Sequence, residues 1–433
     1  MEKKESASGG VFAIATMFAL FFMIAFVTNF ASPMGVIAKN QFNASNALSQ
    51  LGNAANFIAY LFMGIPGGLI LKRKGYKFTA LVAVAVGFAG VGVQLVSGYI
   101  SSFPVYVLGA FIAGFSMCLL NLVVNPMLNT LGGGGNKGNQ LVQFGCSLNS
   151  VGATLSPAVL GWLIGEITKD TSFIKAAPAL MIAMGIFALA FLIVAFSRIP
   201  EPHMETAEEK AARLSGQTSV LGDIAATLKF RHFTFGAIAI FFYIVIEVGV
   251  PSMGFLYMTD CVKNEAGEIV SRGPGYVGGA IAGVVCGAYW FLMMCGRLLG
   301  GVVGGKVSSR VQVSFLATLG IGLLVAAMFA PVKMVTLFGY QFPLSMAFMV
   351  AVGLCTSVMW GGIFNMAAEG LGKYVPMGSG IFMAMVFGGI LIPVQGLLAD
   401  KIGILSSYWL SIGLLAYVLF YALVLSKPVR REG

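Results

Sequence analysis

The sequence predicts an all-α integral membrane protein of twelve transmembrane helices in two six-helix bundles. Three observations lead there. Of the 433 residues, 58% are hydrophobic and 10% charged, against about 45–50% and about 25% in soluble domains. Apolar stretches of about 20 residues, the length that crosses a bilayer's hydrocarbon core, recur along the whole chain. One long polar segment, "RIPEPHMETAEEKAARLSGQTSVLGDIAATLKFRH" at 198–232, divides them into two sets of six.

Taken in order, the expected spans are 11–37, 50–71, 76–99, 103–129, 139–166, 176–197, 233–258, 276–304, 311–332, 343–368, 377–398 and 405–426. The opening "MEKKESASGG" is too polar and too rich in acid for a signal peptide, so the apolar segment after it is expected to be retained as span 1. With the N-terminus inside, basic residues crowd the inner segments, as in "LKRKGYK" at 71–77, Arg198, Lys210, Lys229, Arg231, Lys306, Arg310, Lys373 and Arg430. The outer segments hold Lys39, Lys169, Lys175, Lys263, Arg272, Lys333 and Lys401. The positive-inside rule therefore predicts cytoplasmic termini. The net charge of +10 follows the loops and suits a lipid bilayer as partner rather than nucleic acid. The expected division is 1–197, an N-terminal bundle; 198–232, a cytoplasmic linker; and 233–433, a C-terminal bundle. A weak internal echo, "LGGGGNKGNQ" from 131 against "LGKYVPMGSG" from 371, supports duplication. Many of the 57 glycines are expected to let helices approach closely.

The chain shows no grouping that points to an enzyme or a bound cofactor. Cys118, Cys146, Cys286, Cys295 and Cys355 fall in spans and Cys261 stands in an outer loop, without disulfide or metal spacing. His203 and His232 lie apart in the charged linker. The glycine run 132–135 with Lys137 lacks the strand and the spacing of a phosphate loop.

Polar residues inside the spans are the candidates for function, because ionisable groups in lipid are expensive. Glu247, in "FFYIVIEVGVPSMG", sits near the middle of span 7, with Tyr243 one turn before it. It is expected to bind substrate or carry the coupling cation. Arg297, near the inner end of span 8, reads as a gate or anchor between helices. Asn121, Asn125 and Asn129 recur every four residues in the apolar span 4 and form one polar line on the helix. That seam is expected to face a water-filled path. Asn29, Gln143, Asn149, Trp360, Asn365 and Gln395 complete a set that mixes donors and acceptors with almost no charge. Such a lining suits a neutral polyhydroxylated solute, on whose apolar face Trp360, Tyr289 or Trp290 would stack.

The segments "NPMLNTLG", "SLNSVGATLSP" and "YWFLMMCGRLLGG" and the run 353–403 resemble the fucose:proton symporter family of the major facilitator superfamily, which includes bacterial fucose and glucose/galactose transporters. "NPMLNTLG" and "SLNSVGATLSP" resemble its span 4 and 5 segments, and "YWFLMMCGRLLGG" its span 8 motif. "GLCTSVMWGGIFNMAAEGLGKYVPMGSGIFMAMVFGGILIPVQGLLADKIG" at 353–403 resembles its EGLG, GSG and QGLLAD series. In "GGLILKRKGYK", Gly68, Arg73, Gly75 and Lys77 match the superfamily's inner-loop signature, which makes Arg73 and Gly75 gating candidates; Lys72 stands where that signature has an acid. The resemblance covers almost the whole chain outside the linker and termini.

It implies a monomeric sugar permease that imports a hexose or deoxyhexose by alternating access, with a proton or sodium ion as coupling cation. Asn149 matches the family's span 5 asparagine implicated with sugar. The two acids the family's fucose transporters use, in spans 1 and 4, are Ser32 and Asn121 here. Coupling is then expected to pass through Glu247, through sodium, or to be absent in a uniport. A carrier for another neutral or amphiphilic solute is the alternative.

Overall fold

The structure is a computed structural model that describes residues 2–28, 37, 51–164, 173–215, 219–263 and 269–428. Asn29, Ser32 and Glu166 lie outside the described residues. Span 1 belongs to the helix Glu2–Thr28. Spans 2 and 3 run in the element Leu51–Tyr99. Its 49 residues would reach about 70 Å as one rod, twice the thickness of a bilayer core. Gly75, with φ 84° and ψ 177°, breaks it into the two expected spans. Spans 4, 5 and 6 are Phe103–Leu131, Gly135–Ile164 and Phe173–Phe196. The linker folds into short helices, Ala207–Leu214 and Val220–Leu228.

Spans 7, 8 and 9 are Arg231–Thr259, Gly279–Gly304 and Ser309–Phe329. Span 10 is interrupted, running as Leu344–Thr356 and then Met359–Ala368. Span 11 passes from Val375–Ala384 through a tighter 3₁₀ stretch, Met385–Leu391, into Ile392–Ile402. Span 12 is Tyr408–Phe420, ending in the π turn Tyr421–Leu425. The spans form two six-helix bundles that meet where span 2 packs on span 11 and span 5 on span 8.

Two small hairpins sit outside the spans and amend the purely helical expectation. Strand β1 (Cys261–Lys263) pairs with β2 (Ile269–Arg272) after span 7, and β3 (Met334–Leu337) with β4 (Tyr340–Pro343) after span 9. The second turns through Phe338 and Gly339, both at positive φ (51° and 81°), the backbone of a two-residue hairpin turn that follows the twist of its strands.

Linker, signature loop and the loop after span 10 share one end of the molecule, called the linker end below. Lys72, Arg73, Glu205, Asp223, Lys373 and Tyr374 line one cavity there. At this end the bundles are shut. A Cβ on Gly64 would stand 2.6 Å from the Gly380 carbonyl oxygen, so spans 2 and 11 touch backbone to backbone because both residues lack side chains. Gly304, the last residue of span 8, and Gly305 just after it lie against Asn139 and Gln140 of span 5, where the Gln140 side chain occupies the room a side chain at Gly305 would take.

Candidate functional site

Glu247 owes its surroundings to Pro251, one turn later in span 7. A proline has no N–H to donate, so the carbonyl four residues before it loses its helical partner. That carbonyl is Glu247's own, and the Tyr289 hydroxyl of span 8 donates to it at 3.2 Å. Tyr289 is also 3.1 Å from the Thr356 hydroxyl at the interruption of span 10. The freed carbonyl thus ties spans 7, 8 and 10 together beside one carboxylate.

The Glu247 side chain is paired with Arg297. Arg297 Nη2 donates to Glu247 Oε1 at 2.9 Å, with both side chains largely buried. Arg297 Nη1 donates to Ser150 Oγ at 2.6 Å, which reaches across to span 5 in the other bundle. The Tyr243 hydroxyl is buried beside the pair. Asn149, next to Ser150, donates from its amide to the Phe21 carbonyl of span 1 at 3.1 Å. Asn149, Ser150, Ala153, Thr154, Glu247, Gly287, Trp290 and Arg297 line a cavity of about 450 Å³ between the bundles. Its polar wall offers neutral donors and acceptors, one charge of each sign, and one indole face.

Of the residues expected from sequence, the structure brings Asn149, Glu247 and Arg297 together here. The asparagine seam, expected to face a water-filled path, has its amides hydrogen-bonded in this structure. Asn121 donates to the Tyr60 hydroxyl at 3.0 Å and to its own helix. Asn125 is fully buried; its amide donates to the Asn121 carbonyl and its oxygen accepts from Trp360 Nε1 at 3.1 Å. Asn129 donates to Asn365 Oδ1 at 2.6 Å, and Asn365 donates onward to Ser309 Oγ at 2.9 Å. Gln143 donates at 2.9 Å to the Val358 carbonyl beside the break in span 10. These bonds join spans 4 and 5 to span 10 and so close the bundles on each other.

Of the three aromatic candidates for stacking, Trp290 lines the cavity. Trp360 is turned to the seam and lies against Tyr243 and Phe382. Gln395 is buried against Ser411 at 3.1 Å, inside the second bundle. Ser150 and Thr154 were missed as candidates. Their spacing of four places them on one face of span 5, adjoining that of Asn149, and was the signal available.

The signature loop is held by acids from the linker. Glu201 accepts from the backbone N–H of Tyr76 and, at 2.9 Å, of Lys77, where span 3 begins. An acid at a helix N-terminus satisfies donors that have no partner within the helix. The carboxylate stands where a Cβ on Gly75 would be, so this position requires glycine both for its positive φ and for room. Lys72 forms an ion pair with Asp223 at 2.7 Å. His203 Nδ1 lies 2.7 Å from the Tyr76 hydroxyl. Arg73 is exposed and lines the cavity at this end.

Known proteins share this architecture. A "Glucose/galactose transporter" of Brucella abortus is 27% identical over 419 residues, 96% of this chain and 94% of that protein. The "L-fucose-proton symporter" of Escherichia coli is 22% identical, covering 91% of this chain and 88% of that one. The crystal structure of the E. coli fucose:proton symporter has the same fold, with a TM-score of 0.79 at 17% identity over 96% of this chain and 98% of that one. The sequence model of the Major Facilitator Superfamily matches residues 14–333, well over half of the chain, and the chain belongs to that superfamily as a membrane-spanning transporter.

Proposed function

We propose that the protein imports a neutral sugar, a hexose or deoxyhexose, across a bacterial inner membrane by alternating access. The observation that carries this reading is the cavity between the bundles. It sets Asn149, Ser150 and Thr154 beside the Glu247–Arg297 pair, with Trp290 as the apolar wall. Hydroxyls of a pyranose both donate and accept, so they satisfy the carboxylate and the guanidinium together while the indole covers the C–H face. The names of the sugar-transporting relatives support the same substrate class. Asn121 ties span 4 to span 2 within the first bundle, Asn125, Gln143, Asn365 and Trp360 act in closing the bundles, and Arg73 and Gly75 shape the loop that carries the linker. The chain works as a monomer divided at 197/198 and 232/233, with both termini cytoplasmic.

Cation coupling through Glu247 is the first reading of the energetics. Protonating Glu247 strands Arg297 as a buried unpaired cation, a costly state unless substrate hydroxyls take over the guanidinium. Substrate and proton would then load together. The second reading is uniport, favoured by the intact ion pair.

Uptake of radiolabelled D-glucose, D-galactose and L-fucose into proteoliposomes tests both. Imposed proton gradient, imposed sodium gradient and no gradient are compared, with Glu247→Gln in parallel. Gradient-driven accumulation that Glu247→Gln abolishes is the expected result. Equilibration without accumulation selects uniport, and no uptake of any of the three sugars overturns the substrate class.

A further inference from the structure

We propose that Ser150 is the latch through which an occupied cavity releases the two bundles from each other, an inference that rests on the transport reading above. Arg297 divides its guanidinium between two partners of different kind. Nη2 binds Glu247 at 2.9 Å within the second bundle, and Nη1 binds Ser150 at 2.6 Å in the first. All three residues line the cavity, so a ligand reaches the atoms of a contact that also ties the bundles.

The geometry determines which bond breaks on opening. Arg297 lies seven residues, about 10 Å along the helix, from Gly304, which packs against Asn139 and Gln140 of span 5. Parting spans 5 and 8 at the linker end pulls Arg297 away from Ser150. Glu247 and Arg297 move together, because both belong to the second bundle. A sugar hydroxyl that accepts from Nη1 replaces Ser150 without leaving the guanidinium unpartnered. Ser150 is not stranded either, since its hydroxyl already lies 3.2 Å from the Cys146 carbonyl as a donor. The ligand therefore binds better to the parted state, where it need not displace Ser150, and such a difference in affinity is what shifts a population. With the cavity empty the latch holds, which limits leak through the unloaded carrier.

The test reads conformation rather than transport. Spin labels are placed at Lys137→Cys and Lys306→Cys, both exposed at the linker end, and distances are measured by pulsed electron paramagnetic resonance in lipid nanodiscs without sugar. Ser150→Ala is expected to raise the ratio of long to short distances on the order of tenfold, the worth of one hydrogen bond to a charged group. Ser150→Thr, which keeps the hydroxyl, restores the original ratio, and Ser150→Val, its shape without the hydroxyl, does not. Should the Ala variant fail to fold, the Thr and Val pair carries the comparison. Identical distributions with and without the hydroxyl overturn the latch. Adding D-galactose is expected to lengthen the distances in the unmodified protein. If the hydroxyl matters but none of the three sugars moves the distances, the latch stands and the sugar reading falls.

Discussion

The seam along span 4 and the cavity wall between spans 5, 7 and 8 both place polar groups inside the membrane, with opposite chemistry. The seam is neutral throughout: Asn125 to Trp360 and Asn129 to Asn365 cross between the bundles without a formal charge. At the cavity the charges of Glu247 and Arg297 are paired within one bundle, and what crosses is the bond to a neutral serine. The difference teaches a rule for a carrier that must part its halves on every cycle. Neutral bonds can be exchanged for water at little net cost, whereas separating a buried ion pair leaves an uncompensated charge.

The largest departure from that rule comes from breaking the pair. Arg297→Ala is expected to cost about 3 kcal/mol of stability, read as a lowered melting temperature in detergent. Glu247→Gln combined with Arg297→Gln removes both charges and is expected to melt above Arg297→Ala. A double variant no more stable than Arg297→Ala would mean that the pair's value lies in packing.

Placing a charge in the seam should come next. Asn129→Asp replaces a donor by an anion 2.6 Å from Asn365 Oδ1, and is expected to weaken closure of the linker end by about 2 kcal/mol. Thiol accessibility of a cysteine at Lys306 is the readout, with Asn129→Ser as the milder neutral control. The two tryptophans then separate the regions by function. Trp290→Ala is expected to weaken sugar binding up to about tenfold. Trp360→Phe removes one neutral hydrogen bond, worth about 1 kcal/mol, and should leave sugar affinity nearly unchanged. Equal losses would return Trp360 to the binding site.

The smallest effect concerns the linker. Burial pushes the His203 imidazole below its ordinary value of 6.5. A depressed histidine contributes its share of stability above that value and loses it as pH falls through the folded-state value. Protection of the Tyr76 and Lys77 amides from exchange, taken relative to the unstructured rate at each pH, should therefore fall below about pH 6.5, and His203→Gln should flatten that dependence.

Much of this is legible in the amino-acid sequence. Hydropathy and the position of the linker are enough for the bundle layout, because a span of about 20 apolar residues has few alternatives in lipid. Glu247 and Arg297 stand out as charges in apolar runs, and Asn149 through family resemblance. What the sequence could not supply is which polar groups pair with one another. Asn125 and Asn129 look alike in a helical projection whether they meet water or a partner helix, and Trp360 sits two residues from a helix break that no local pattern announces. The pairing of Glu201 with the start of span 3 joins residues 125 positions apart, beyond the reach of periodicity.

That last contact also decides where the chain can be cut. Residues 201 to 205 are fastened to the first bundle through Glu201, His203 and the Glu205 N–H on the Lys72 carbonyl. The helix Val220–Leu228 packs instead on spans 7 and 11. Each half therefore carries its own share of the linker, and the Lys72–Asp223 pair is a clasp between separable pieces. Two polypeptides divided between Leu214 and Ser219 and made in the same cell would each keep their own fastening, so a split carrier could reassemble without a covalent bridge.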